Sequence, residues 1–285
     1  SSNGVGSASQ GRTSEDARWC EYGLMHASAH EEQQKQAALN LLRRLPPQNL
    51  GDNLKQIVSL APHLEGPLSA HVSAPLRVVE DPSDGRHFIA GVYNGSGGCF
   101  RSPWSNTYFP ALEQGGVSHM EELPKPPERL RRLEEAFNDM FDMYTTSYHD
   151  GGVSSVYLWD TEVGFAGAFL TQKKVNPPDS QEHAIWDATH IVEVKELSSG
   201  SVVEYCLCAQ VLLHVKKAGS NSTTGVGVLV TKQREERHKK GGEDMHILHV
   251  GRMIEDVENS IRQTIENIHM PKHREVLAVV RCGAD

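Results

Sequence analysis

From Val153 to Val230 the apolar residues recur with a period of two, and no helical segment interrupts the series. Val203, Tyr205, Leu207, Ala209, Val211, Leu213 and Val215 occupy every second position of one unbroken run. At about 3.4 Å per residue, such a strand runs to roughly 45 Å, well beyond the usual five or six residues. Val153–Asp160 and Phe165–Lys173 flank Thr161-Glu162-Val163-Gly164, a connection of hairpin length. Ile185–Leu197 leads into the long run through Ser198-Ser199-Gly200, and Val226, Val228 and Val230 begin a fifth strand. Parallel neighbours need a crossover of a dozen or more residues, so strands in such close succession pair antiparallel. The chain is therefore α+β, with a five-stranded antiparallel sheet expected over 153–232.

Helical spacing flanks the sheet on both sides. Ala37, Ala38, Leu41, Leu42 and Leu45 stop at Pro46-Pro47; Leu50, Leu54, Ile57, Val58 and Ala61 stop at Pro62; Leu64, Leu68 and Val72 stop before Pro75. These segments predict a three-helix stalk over 31–74. An irregular segment, 75–128, holds two short strand candidates, Leu76–Val79 and His87–Tyr93, and turn chemistry from Asn94 to Gly98. Leu130, Leu133, Phe137, Met140, Phe141, Tyr144 and Tyr148 predict a helix over 129–150, opened by Pro126-Pro127-Glu128 and closed by Gly151-Gly152. A long last helix within 246–281 is expected to begin near His249. Its apolar stripe, including Val250, Met253, Ile254, Val257 and Ile261, faces away from Glu255, Glu258 and Arg262. Residues 1–30, small and polar without period, are expected to be a flexible extension, and 31–285 one fold.

Five long strands leave two faces and two edges to be covered. The last helix is long enough for one face. The 129–150 helix is too short and too far upstream to seal an edge as well. Bare edges template pairing with another chain. A second subunit is therefore expected to complete the sheet.

Composition narrows the function. With Lys+Arg 28 against Asp+Glu 37 the chain of 285 residues carries a net charge of −9, which argues against nucleic-acid binding by its whole surface. No apolar run reaches membrane-spanning length. Five scattered cysteines make no disulfide framework, and the chain reads as cytoplasmic. His26-x3-His30 and His246-x2-His249 lack partners at zinc spacing and read as solvated or helix-flanking. Cys206 and Cys208 point away from the apolar row of their strand and read as small buried thiols. The glycines at 95–98 lack a phosphate-loop continuation, and no nucleophile elbow or acidic pair is present. Neither an enzyme nor a bound cofactor is expected. Lys232, Arg234, Arg237, Lys239 and Lys240 crowd what reads as a loop before the last helix, with Arg252, Arg262, Lys272, His273 and Arg274 following. They form either a solvated polar surface or a local docking surface for an acidic partner.

Several stretches resemble one family: Leu41-Leu42-Arg43-Arg44-Leu45-Pro46-Pro47, Arg101-Ser102-Pro103-Trp104-Ser105-Asn106, the run from Gly151 to Asp160 (GGVSSVYLWD), Gly164-Phe165-Ala166-Gly167 and Gly251-Arg252-Met253-Ile254-Glu255-Asp256. Together they are similar to the β-subunit family of the heterodimeric F-actin capping protein, CapZ. The resemblance implies a helical stalk, an irregular segment, and a five-stranded sheet that joins the sheet of an α subunit. It also implies a cytoskeletal function: binding the barbed end of an actin filament and blocking subunit addition and loss. Arg262, with Arg252 and Lys272, matches the surface implied to face actin or phosphoinositides. Arg43 and Arg44 match a stalk region implied to receive capping-protein-interacting regulatory peptides, though two arginines at a helix C-terminus also suit its dipole. Trp104, Tyr157 and Trp159 read as core or subunit-interface packing. Gly91-Val92-Tyr93-Asn94-Gly95-Ser96 keeps only the Tyr-Asn of a family signature, and Ser260 stands where the family often has a lysine beside Arg262. The sequence stops at Asp285, before the amphipathic actin-binding "tentacle" that the resemblance implies. The alternative is accordingly a heterodimer scaffold that binds regulatory peptides or acidic phosphoinositides and caps weakly.

Overall fold

A computed structural model describes residues 34–35, 37–39, 41–42, 49–68, 75–96, 99–110, 123–148, 151–175, 182–197, 200–217, 226–264 and 267. Five strands, β6 (Val153–Thr161), β7 (Gly164–Val175), β8 (Glu182–Glu196), β9 (Val202–Lys217) and β10 (Val226–Lys239), pair antiparallel in sequence order. This is the expected meander. The β6–β7 turn is two residues long, with Thr161 opposite Gly164. A Cβ on Gly164 would overlap the carbonyl oxygen of Val194 on β8, so that position requires glycine.

Two helices cover one face of the sheet. The first, α2 (Glu128–Tyr148), follows the shorter α1 (Leu50–Leu60) in the chain, and α3 (Glu243–Thr264) comes last. Phe137 and Phe141 of α2 pack on Phe169, while Val250, Met253, Val257 and Ile261 of α3 join the alternate residues Val203, Tyr205, Leu207, Ala209 and Val211 of β9. The opposite face carries a hairpin, β1 (Arg77–Glu80) with β2 (His87–Ala90), whose Ile89 packs with Tyr157, Ala168, Leu170 and Ile191. Three very short strands, β3 (Gly95–Ser96), β4 (Cys99–Arg101) and β5 (Tyr108–Phe109), form a separate sheet. Arg101 ends β4, and Ser102-Pro103-Trp104-Ser105-Asn106-Thr107 makes the β4–β5 connection.

The N-terminal helices pack through Ala38, Leu39, Ile57, Leu64 and Leu68, with Val92 of the irregular segment against them. Here the apolar stripe is rotated from the expected one. Ala37 is exposed, Leu41 is 50% exposed, and Leu39 is buried instead. The expected extension over 1–30 lies outside the described residues.

The structure corrects the reading of α2. Asn138 of α2 accepts a hydrogen bond from the Val156 N–H (2.8 Å) and donates one to the Val156 carbonyl (3.0 Å). Glu134 accepts from the Leu158 N–H (2.8 Å). Both β6 residues pair with β7 on their other side. The helix thus satisfies, through side chains, the backbone groups that an edge strand leaves open. Spacing decides it: positions 134 and 138 are one turn apart, and the backbone groups they reach lie two strand residues apart.

Two boundaries also differ. The basic stretch 232–239 is the second half of β10 rather than a loop, paired residue for residue from Lys239↔Val202 to Val230↔Val211. Its helix-side positions hold Arg234, Glu236 and His238, so charged residues mask the alternation that would mark a strand. The last helix starts at Glu243, six residues earlier than expected, with Glu243 and Asp244 in the first turn where the helix dipole favours acids.

Glu134 fastens the remaining parts. It is fully buried and takes both guanidinium nitrogens of Arg101 (2.8 Å each) and Nη1 of Arg131 (2.8 Å), in addition to the Leu158 N–H. Arg131 in turn donates to the carbonyls of Pro103 (2.7 Å) and Trp104 (3.0 Å). Removing one member of such a buried ionic network strands the others and costs about 3–5 kcal/mol. Glu134→Ala is expected to lower the unfolding free energy by that amount in chemical denaturation; a loss below about 1 kcal/mol would contradict the role.

Candidate functional site

The two α3 arginines singled out from the sequence sit in different settings. Arg262 is one-third exposed, and its Nη2 lies 3.0 Å from Oε2 of Glu258, one turn earlier. Glu258 is buried, not on the outward face as expected, because the apolar stripe through Ile254, Val257 and Ile261 is wide enough to carry position 258 inward. It also accepts from the Tyr144 hydroxyl of α2 (2.8 Å), and its Oε1 lies 2.9 Å from Nε2 of His190 on β8. Burial first, and then the Glu258 charge, push the Tyr144 phenol above its ordinary range. Arg262 is thus the solvent-side end of a chain of polar contacts joining α2, α3 and β8. Its positive charge compensates a carboxylate that would otherwise be isolated in the core.

Arg252 is exposed and lines an apolar groove of about 230 Å³ between α2 and α3, with Met140, Phe141, Ile247, Leu248 and Glu255 among its walls. Glu255 shares that groove wall, so Arg252 and a carboxylate flank the same apolar surface. Lys272, Arg43 and Arg44 lie outside the described residues.

The basic cluster of β10 is largely neutralised within the fold. Arg234 pairs with Glu236 (2.6 Å) and with Asp256 of α3 (2.9 Å), Arg237 with Glu204 of β9 (2.6 Å), and Lys240 with Glu196 (2.5 Å). The alternation of acids and bases along β10 therefore works across the sheet, which a linear reading of the run could not show.

Of the aromatic candidates, Tyr157 is fully buried and donates to the Ile89 carbonyl (2.7 Å), fixing the β1–β2 hairpin to the sheet. Trp159 is half-buried and stacks on Tyr93, at 5.9 Å between ring centroids. Trp104 is half-buried; its indole N–H donates to the His87 carbonyl (3.1 Å), and Arg86 lies over its ring.

His246 and His249, expected to be solvated or helix-flanking, are buried on α3. Cys206 and Cys208 lie on the face opposite the helices, and burial pushes both thiols upward, away from reactive thiolate character. Among the described residues no group of three or more His, Cys, Asp or Glu side chains is placed to hold a metal ion. No described helix is long and apolar enough to cross a membrane. The meeting of His190, Tyr144 and Glu258 escaped the sequence reading, because in sequence each looks like an ordinary core or surface residue.

Three backbone groups of the β6 edge are taken by side chains of α2, whereas no strand lies beyond β10 among the described residues. The helix-covered sheet thus keeps one margin that a further strand could extend. The chain belongs to the F-actin capping protein beta subunit family, whose model matches residues 35–277. It is 39% identical over 252 residues to the F-actin-capping protein subunit beta of Drosophila melanogaster, covering 88% of each chain. It is 36% identical to the same subunit of Caenorhabditis elegans (88% of this chain, 89% of the relative) and 38% identical to that of Candida glabrata (86% and 89%). The fold resembles that of a homodimeric actin capping protein alpha subunit from Plasmodium berghei, with a TM-score of 0.53 and 16% identity, over 88% of this chain and 96% of that one.

Arg262→Glu would set a second carboxylate beside buried Glu258. The substitution is expected to cost about 1–3 kcal/mol of stability, discounted from a fully buried pair because Arg262 is partly exposed. Arg252→Glu is expected to change stability by less than about 0.5 kcal/mol. Parallel urea titrations check both; equal costs would refute the distinction.

Proposed function

We propose that this chain is the β subunit of a heterodimeric actin-capping protein that occupies the barbed end of a filament and blocks addition and loss of subunits. The observation that carries this reading is family membership over residues 35–277. The fold supports it through the strand margin at β10, fourteen residues long, which a partner's sheet would extend by antiparallel pairing. The partner is a capping protein α subunit, and the site of action is the cytoskeleton. No covalent chemistry is needed, since occupancy of the filament end is the whole effect. Stalk, sheet and α3 work as one body in this reading.

Arg252, Arg262 and Lys272 are the proposed actin- or phosphoinositide-facing residues, and Arg43 and Arg44 the proposed contacts for regulatory peptides. The internal pairing of the β10 cations favours a second reading, a heterodimer scaffold with weak capping.

Co-expression with a capping protein α subunit is expected to yield a 1:1 complex on size exclusion. That complex should arrest elongation of pyrene-actin from filament seeds at submicromolar concentration. Unchanged growth at micromolar complex would sink the capping reading. Binding of a capping-protein-interacting peptide with unaltered growth would support the scaffold instead.

A further inference from the structure

The contact between α3 and strand β10 contains a histidine pair that neither the family assignment nor the capping reading uses. The rings of His238 on β10 and His249 on α3 stack with centroids 3.7 Å apart and planes 17° from parallel. Tyr205 of β9 stands against both, 5.8 Å from His238 and 5.4 Å from His249. Its hydroxyl lies 2.9 Å from Nδ1 of His246, whose ring meets Phe165 edge-on. A second polar tie between the same two elements, Arg234 to Asp256, contains no histidine. We propose that His238 and His249 form an acid-sensitive clasp holding the N-terminal half of α3 against β10, and that double protonation of the pair loosens it.

The surrounding charges make the second proton the critical one. Glu236, on β10, lies 2.8 Å from Nε2 of His238, so one positive charge on the pair has a carboxylate to meet it. Glu236 is shared with Arg234, which limits what it can offer a second cation. Arg252 on α3 adds positive potential at His249, and Arg129 of α2 does so at His246, partly offset by Glu196 and Glu243. Tyr205 contributes no charge in the relevant range, because burial pushes its phenol up to about 12. A second proton therefore places two cations at stacking distance in a site where His249 is mostly buried.

The sign follows from linkage. Burial first, and His238 next, hold His249 below its ordinary value of 6.5. The unfolded chain therefore takes up the proton more readily. The stability that neutral His249 contributes is complete above about pH 6.5 and is lost as pH falls through the lower folded value. His246 shifts the same way, by burial and Arg129, so single variants are needed to assign the effect.

Hydrogen exchange of the full-length chain, corrected for intrinsic rates, at pH 7.5 and 5.5 reads the clasp directly. Peptides within 226–239 and 243–250 are expected to lose protection at least fivefold more than those of β6 and β7. His249→Phe, which keeps a stackable ring, is expected to abolish most of this difference, and His238→Gln should flatten it too. Should either variant fail to fold, the other serves. NMR titration adds a second readout: the His249 imidazole should titrate at higher pH in His238→Gln than in the unmodified chain. Wild-type acid sensitivity retained in a folded variant, or an unmoved His249 titration, would overturn the proposal.

Discussion

Four hydrogen bonds converge on the carboxylate of Glu134, and much of the architecture hangs from that convergence. Each oxygen accepts twice, Oε1 from Arg101 and Arg131 and Oε2 from Arg101 and the Leu158 N–H. Three elements are thereby joined: strand β4, the α2 helix and strand β6. Burying a carboxylate is costly unless its acceptor capacity is filled, and here both guanidinium partners are buried with it. The Arg-Ser-Pro-Trp-Ser-Asn run owes its form to this role. Arg101 supplies the fork, Asn106 takes another of its protons (2.9 Å), and the Pro103 and Trp104 carbonyls receive Arg131.

The two margins of the main sheet are treated differently, and that difference gives the molecule its direction. Along β6, Asn138 and Glu134 do what a neighbouring strand would do, using amide and carboxylate groups projected from a helix. Among the described residues β10 receives no such cover from the helices; α3 lies over its face instead, tied by Arg234–Asp256 and the stacked imidazoles. In the proposed heterodimer, β10 is the margin left to a partner's strand.

How much of this could be read in advance depended on whether the signal was periodic or spatial. The five strands, a hairpin connection within Thr161–Gly164 and the α2 helix all announce themselves, because their apolar residues repeat at 2 or 3.6 and glycine or proline marks their ends. The latter half of β10 does not, since Arg234, Glu236 and His238 occupy the half-buried positions where apolar residues would betray a strand. Glu258 misled for the complementary reason: its charge suggests solvent, yet Tyr144, His190 and Arg262 receive it inside. Leu39 and Leu41 show the limit of helical phase, as two leucines two residues apart cannot both face the bundle. Arg262 could be chosen from motif similarity, but that its first duty is to Glu258 emerges only when α2, β8 and α3 are folded together.

Strand length along the sheet runs nine, twelve, fifteen, sixteen and fourteen residues from β6 to β10, so the layer broadens from β6 as far as β9 and keeps fourteen residues at β10. A broad seam is a vernier. Sliding an incoming strand by one position along β10 would turn its whole inward set outward, and sliding it by two would bring the groups meant for Glu235 opposite Arg237. Where a partner strand pairs along β10 as proposed, its fourteen residues would hold that strand to one register.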